Sequence, residues 1–156
     1  MKKFELTSES IVNIFGKRLF RIKALIEFGN VKEGELGGFI EKEENLSHEG
    51  NAWVCGDAWV YGNAKVYGNA WVCGNAKVCG DAWVYGNADY ATVKGFGTEY
   101  RATTFFRCKD GVVRVRCGCF YGDLEEFRVQ VKNTRKGKIA EEYLMIADLI
   151  EKHFDK

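Results

Sequence analysis

Between residues 50 and 91 the chain repeats one pattern of apolar and polar positions every six residues. Seven consecutive units begin with Gly, continue with Asn or Asp and then Ala, and carry Val at the fifth position in all but the last unit. Because Ala and Val stand two residues apart, they point to the same side of an extended strand, and the residue between them points to the other side. The pattern therefore predicts short strands with Ala and Val facing inward, each followed by a corner at Gly and Asn or Asp.

Three six-residue sides make one triangular coil, in which each strand pairs in parallel with the strand one coil further along. This pattern resembles the hexapeptide-repeat family, and the resemblance implies a left-handed parallel β-helix, here a scaffold for binding. Ile40 and Leu46 continue the inward column backward at the same spacing of six. We therefore expect a β-helix of about three coils over residues 38–97, between an N-terminal segment 1–37 and a C-terminal segment 98–156.

The outward positions of the repeat carry an unusual amount of aromatic surface. They are Trp53, Trp59, Lys65, Trp71, Lys77, Trp83 and Asp89. Exposed indoles of this number mark cover by the chain's own termini, a subunit interface or a stacked nucleobase. The family resemblance favours a homotrimer, and the most apolar side, with Trp53 stacked on Trp71 and Cys55 on Cys73, is the predicted subunit interface.

Two hairpins are predicted outside the repeat. Residues 11–25, with a turn near Gly16, form a hairpin that caps the open end of the β-helix. Residues 103–117 form a second hairpin, with Asp110-Gly111 as a two-residue turn. This turn pairs Arg107 with Arg114 and Phe105 with Arg116.

In that register one face of the second hairpin is basic. It presents Phe105, Arg107, Lys109, Arg114 and Arg116. Like charges directly across a strand pair are unfavourable, so an anion such as a phosphate is expected among them. The alternatives are a solvated face, or ion pairs with Glu125, Glu126 or another subunit. Together with Trp59 and Trp83 as stacking platforms, this face is the predicted ligand-binding site.

Two helices are predicted at the end of the chain. Asp123 and Glu126 have the spacing of a capping box, and an apolar stripe follows at Leu124, Phe127 and Val131. A second stripe runs from Ile139 to Phe154. Both stripes are expected to dock on the second hairpin.

The composition narrows the possible partners and the compartment. A net charge of +1, from 23 Lys and Arg against 22 Asp and Glu, provides no general attraction to long nucleic acid or an anionic membrane. No apolar run is long enough to span a bilayer, so a soluble protein of the cytoplasm is expected. Cys55, Cys73 and Cys79 share a repeat position with Tyr, which favours reduced thiols that serve packing.

The chain offers little of the chemistry that catalysis requires. Hexapeptide-repeat acyltransferases use a histidine as general base, but the only histidines are His48 and His153, and neither lies in the regular units. Cys108, Cys117 and Cys119 match no common zinc spacing. We therefore expect no enzymatic activity, no cofactor and no metal, with acyl transfer the least favoured function.

The order of the segments resembles a group of small proteins encoded by phages and prophages. The shared features are Gly37-Gly38-Phe39-Ile40-Glu41 before the repeat, Thr-Thr-Phe-Phe at 103–106, Cys-Gly-Cys-Phe at 117–120 and a terminal helix. The resemblance implies a phage context, in the cytoplasm of an infected bacterium. The favoured hypothesis is a counter-defence protein that sequesters a nucleotide-type immune signal. The alternative is an inhibitor of a host defence protein, such as a CRISPR effector, or a structural module.

Overall fold

The computed structural model describes residues 2–155. The first half contains β1 (Phe4–Val12), β2 (Arg18–Ala24), β3 (Leu36–Ile40), β4 (Trp53–Val54), β5 (Trp59–Val60), β6 (Lys65–Val66), β7 (Trp71–Val72), β8 (Lys77–Val78) and β9 (Trp83–Val84). The second half contains β10 (Tyr90–Val93), β11 (Thr103–Arg107), β12 (Val113–Cys117), β13 (Phe120–Asp123), α1 (Leu124–Thr134) and α2 (Gly137–Phe154). Short 3-10 turns lie at Glu43–Asn45 and Asn87–Asp89.

The repeat forms very short strands, β4 to β9, each of which pairs in parallel with the strand three units away. Trp53 pairs with Trp71, Trp59 with Lys77 and Lys65 with Trp83. The Ala and Val positions between Ala52 and Val84 are at most 1% exposed, which confirms their predicted inward orientation. The strands therefore surround a narrow core of small apolar side chains.

The predicted regular β-helix of about three coils is wrong. The strands form a five-stranded mixed sheet in the order β1-β2-β3-β5-β8, a four-stranded antiparallel sheet β10-β11-β12-β13, and the two-stranded sheets β4-β7 and β6-β9. In the expected first coil Ile40 pairs with Val60 and Leu46 with Val66, so the regular spacing of the repeat is not kept there. β3 is also paired with β2 in antiparallel fashion, and the chain leaves the repeat after β9. The neighbouring segments thus determine the pairing at both ends of the repeat.

The N-terminal segment covers part of the repeat surface. β1 and β2 form the predicted hairpin, and they reach the repeat through β3. Phe28, between β2 and β3, lies edge-on to Trp53 with 5.3 Å between the ring centroids. Trp53 is 0% exposed, so its predicted place in a subunit interface is wrong. Trp71 is half-buried, and its Nε1 donates to the Asn51 carbonyl at 2.9 Å.

Cys55 and Cys73 join two neighbouring strands of the repeat. They form a disulfide with 4.6 Å between the Cα atoms, so the prediction of reduced thiols is wrong for this pair. Residues at the same position of stacked strands are within disulfide reach because strands lie about 4.8 Å apart. Cys79, Cys108, Cys117 and Cys119 are free thiols. The homotrimer itself stays a prediction.

The second hairpin forms, but its predicted register is wrong by one residue. Arg107 pairs with Val113 and Phe105 with Val115, because residues 108–112 form a longer connection than a two-residue turn. Cys108 bridges to Ala82, and the Lys109 amide donates to the Asp81 carbonyl at 2.8 Å. These bonds attach the connection to the repeat. A register shift of one residue turns the side chains of one strand to the opposite face relative to those of its partner strand. The predicted basic face is therefore not formed.

Both predicted helices are confirmed and pack on the outer face of the antiparallel sheet. α1 begins with the expected capping box, in which the Glu126 amide donates to Asp123 Oδ1 at 2.8 Å. A second core forms between the sheet and the helices. It contains Phe105, Val115, Phe127, Val131, Tyr143, Ile146, Ala147, Ile150 and Phe154. The inner face of the same sheet contributes Phe106 and Cys108 to the core of the repeat.

We expect Val72→Ala to destabilise the protein by about 2 kcal/mol, because it leaves a cavity in the valine column. Val72 is 0% exposed, whereas Val129 on α1 is 55% exposed. Val129→Ala is the matched control and should change the free energy of unfolding by less than about 0.5 kcal/mol. Urea unfolding of the two variants measures the difference. Equal effects would contradict the buried column.

We expect Lys3 to make stability depend on pH between about 8 and 10.5. Lys3 is 1% exposed, its Nζ donates to the Ala52 carbonyl at 2.6 Å, and burial lowers its pKa from 10.5 to about 8. In this range the unfolded chain binds more protons at Lys3 than the folded chain does, so stability rises with pH. The free energy of unfolding of the wild type, relative to that of Lys3→Met, should therefore increase across the window. A constant difference would contradict the lowered pKa.

Candidate anion-binding site

Three of the seven predicted ligand-binding residues are engaged inside the chain. Phe105 is 0% exposed, and its ring lies 6.0 Å from that of Phe127. Arg107 Nε forms an ion pair with Asp89 Oδ1 at 3.2 Å. Arg114 donates to both carboxylate oxygens of Asp110 at 3.0 Å. Each of the three residues therefore has a partner within the chain.

The other four predicted residues lie in two separate cavities. Lys109 and Trp83 line a cavity of about 630 Å³, with the Lys109 ammonium 5.7 Å from the Trp83 ring centroid. Arg116 and Trp59 line a smaller one of about 320 Å³. The sequence pattern predicts that all four residues share one site, but in the structure they are divided between the two cavities.

The Trp83 cavity is open and contains charges of both signs. Its charged side chains are Lys42, Lys65, Lys109, Glu44 and Asp81. Lys42 already donates to Asn63 Oδ1 at 3.2 Å. Trp83 is 37% exposed, so a ring stacked there would remain largely in solvent. The balance of charge gives this cavity little preference for an anion.

The smaller cavity, which we call the Arg116 pocket, is built by three parts of the fold. The turn between β1 and β2 contributes Asn13 and Phe15, the repeat strands contribute Trp59 and Lys77, and β12 contributes Arg116. Tyr61, Arg101 and Cys119 complete the polar lining. No carboxylate lines this pocket. It is therefore a concave site with positive charge and aromatic walls.

Arg116 is a buried cation without a carboxylate partner. It is 7% exposed, and among residues 2–155 it forms no ion pair. Its Cζ lies 4.4 Å from the Phe15 ring centroid, in a cation–π contact. A buried charge is strongly unfavourable unless an opposite charge and hydrogen bonds compensate it. An anion in the pocket would supply both.

Asn13 lines the same pocket and has an unpaired, buried donor. Its Oδ1 accepts hydrogen bonds from the amides of Phe15 at 2.9 Å and Lys17 at 3.0 Å, which fixes the orientation of the side-chain amide. The buried Nδ2 has no hydrogen-bond partner in the part of the chain that is described. An unpaired buried donor costs about 1–3 kcal/mol, so an acceptor is expected beside it.

Lys77 and Arg101 add to the positive charge of the pocket. The Lys77 ammonium lies 4.4 Å from the Trp59 ring centroid. Burial lowers the pKa of Lys77, and the nearby charges of Arg116 and Arg101 lower it further. Arg101 also forms an ion pair with Glu99. The lowered pKa of Lys77 indicates that several positive charges lie close together at the pocket.

The donor set fits a phosphate group. Guanidinium groups bind phosphate oxygens through two parallel hydrogen bonds, while an ammonium and an amide each add a single donor. Lys77 and Arg116 line one cavity with Asn13, whose Nδ2 is unpaired. A carboxylate would satisfy the same donors, but it has fewer oxygens to share among them.

Sequence reasoning missed several of these residues. Asn13 and Phe15 belong to a turn that was expected only to cap the repeat, and Arg101 lies in an irregular segment. The position of Lys77 could have been found from the sequence, because the period of the repeat places it three units after Trp59, with which it pairs. The remaining residues meet only through contacts between distant segments.

Across residues 2–155, no helix combines the length and apolarity needed to cross a bilayer. Within the same range, no group of three or more His, Cys, Asp or Glu side chains is arranged to hold a metal ion.

Comparison with known proteins adds no family. No protein family matches the sequence, and no curated protein matches it either.

We expect Arg116→Met to stabilise the ligand-free protein by about 1 kcal/mol, because it removes a buried charge that lacks a carboxylate partner. Arg114→Met, two residues away on the same strand, is the matched control. Arg114 has Asp110 as a partner, so its loss should be neutral or destabilising by up to about 1 kcal/mol. Chemical unfolding without added anions measures both. Strong destabilisation by Arg116→Met would show that its charge is already compensated.

Proposed function

We propose that this protein is a non-catalytic binding protein that sequesters a small nucleotide-type anion, with a phosphate group in the Arg116 pocket. The observation that supports the proposal is the buried guanidinium of Arg116, which has no carboxylate partner and lies at the same cavity as the unpaired Asn13 Nδ2. Both groups are donors. One bound phosphate would satisfy the two of them.

The walls of the pocket favour a ligand with aromatic as well as anionic character. Trp59, Phe15 and Tyr61 border the cavity, and two cation–π contacts already lie across it. Its volume of about 320 Å³ is at the lower end of small-molecule sites. These features support a nucleotide-sized ligand over a long nucleic acid.

Sequestration requires tight binding but no catalytic residues. The contacts of His48 agree with this requirement. His48 accepts a hydrogen bond from the Lys3 amide at 3.0 Å, contacts Glu43 and stacks on Phe4. These contacts give it a structural role away from the Arg116 pocket. Acyl transfer with His48 as the base therefore finds no support here.

The resemblance to phage proteins supplies the biological setting of the proposal. A phage protein that removes a nucleotide signal from the cytoplasm of an infected bacterium would act against host immunity. Sequestration requires the protein to be present in excess of the signal and at a concentration well above its Kd, because only then is most of the signal bound.

Thermal unfolding with a panel of nucleotides tests the proposal. The panel contains nucleoside monophosphates, cyclic mononucleotides, cyclic dinucleotides, cyclic oligonucleotides and ADP-ribose derivatives. At least one ligand should raise the melting temperature, with about 2.7 kcal/mol of stabilisation at 100 times its Kd. No shift with any member of the panel would overturn the proposal.

Three matched variants locate the binding site. Arg116→Met should abolish the shift, whereas Arg114→Met should retain it, because Arg114 is bound to Asp110 outside the pocket. Lys109→Met tests the Trp83 cavity and should also retain the shift. Loss of binding in Lys109→Met alone would transfer the site to the Trp83 cavity and contradict the assignment to Arg116.

A further inference from the structure

A second recess adjoins the Arg116 pocket and shares part of its wall. It has a volume of about 300 Å³ and is bordered by Phe15, Tyr61 and Arg116, which also border the pocket. Its own lining comes from Gly62, Gly80 and Tyr121. We call it the Gly80 recess. The two cavities are neighbouring parts of one cleft, with Arg116 at their boundary.

The backbone corners at Gly62 and Gly80 border the Gly80 recess, and Tyr121 covers the second of them. Gly62 and Gly80 are corner residues three repeat units apart, with φ of 68° and 65°, a conformation that side chains rarely adopt. A Cβ atom at Gly80 would collide with the Tyr121 hydroxyl. Tyr121 therefore lies directly over the Gly80 backbone, and its ring borders the recess together with Phe15 and Tyr61.

The walls of the recess are aromatic rings held by other contacts. Tyr121 stacks on Phe106, with 6.3 Å between centroids and an interplanar angle of 28°. Phe106 is 0% exposed, so it supports Tyr121 from the core. Phe15 comes from the turn between β1 and β2 and is held by Arg116. Stacking between aromatic walls is the usual way in which proteins bind a base without reading its sequence.

We infer that the ligand is a single nucleotide whose flat ring occupies the Gly80 recess while its phosphate occupies the Arg116 pocket. The inference rests on the proposed function and specifies its ligand class as a nucleoside monophosphate, linear or cyclic. The cationic donors line one cavity and aromatic rings line the other, so the two ends of such a ligand meet complementary surfaces. Each cavity has room for one group, which disfavours dinucleotides and longer oligonucleotides.

Phe15 and Tyr121 then determine specificity for the ring. Stacking on an aromatic side chain strengthens binding of a base by roughly tenfold to a hundredfold. A ligand with the same phosphate but no base, such as ribose 5-phosphate, loses this gain. It keeps the contacts with Arg116, Lys77 and Asn13.

Calorimetric titration of the full chain distinguishes the contribution of the base from that of the phosphate. The probes are the four common ribonucleoside 5′-monophosphates, 3′,5′-cyclic AMP, a cyclic dinucleotide and ribose 5-phosphate. At least one mononucleotide should bind about tenfold more tightly than ribose 5-phosphate. Equal affinity for the two would overturn the assignment of the ring, and so would binding of the cyclic dinucleotide alone.

Variants of the aromatic walls provide the second measurement. Tyr121→Leu should weaken mononucleotide binding by about tenfold and leave ribose 5-phosphate binding unchanged. Phe15→Leu, on an exposed turn where folding is little affected, should weaken mononucleotide binding similarly. Tyr85→Leu is the control, because Tyr85 is 61% exposed and does not border either cavity. The melting temperature of each variant verifies that it is folded.

The outcomes separate this inference from the proposed function. If Arg116→Met abolishes mononucleotide binding but Tyr121→Leu and Phe15→Leu do not change it, the ring assignment is wrong and the proposed function stands. If mononucleotides bind and Arg116→Met leaves their affinity unchanged, the proposed phosphate site is wrong. If none of the probes binds, both are wrong.

Discussion

Burial of the alanine and valine columns inside the repeat is the interaction on which the rest of the structure depends. Such short strands contribute few hydrogen bonds each, so they persist only because the columns between Ala52 and Val84 are almost completely removed from water. A column of this kind is open at both ends. The β1–β3 segment closes one end, and the antiparallel sheet, through Phe106 and Cys108, closes the other.

Closing the second end has a consequence for charge. Phe106 and Cys108 must face the column, and because side chains alternate along a strand pair, this register turns Arg116 toward the repeat as well. Arg107 faces the helices and finds Asp89, while Arg114 finds Asp110 and Arg116 finds no carboxylate. The packing that completes the core thus creates a feature of the pocket that is unfavourable without a ligand. Unfavourable groups of this kind are typical of functional sites.

The repeat and the helices were predictable because their signals are local. The period of the repeat determines which residues face inward and that strands three units apart pair, and capping and apolar spacing determine α1 and α2. The regular three-coil helix was not correct, because the pairing of β3 depends on β2 and β5, which occupy its two edges. Such pairing is decided by contacts between segments distant in sequence, and the period of the repeat contains no information about these contacts.

For the site, the sequence by itself determined which residue types were available: outward indoles on the repeat and a cluster of basic residues near β12. Only the tertiary structure decided which of them meet. The Asp110-Gly111 turn predicted one register, but the bonds of Cys108 and Lys109 to the repeat favour another and divide the basic residues among three surroundings. The turn that brings Asn13 and Phe15 to Arg116 comes from the opposite end of the sequence. Its position follows from packing of the whole chain, because no local preference relates segments so far apart.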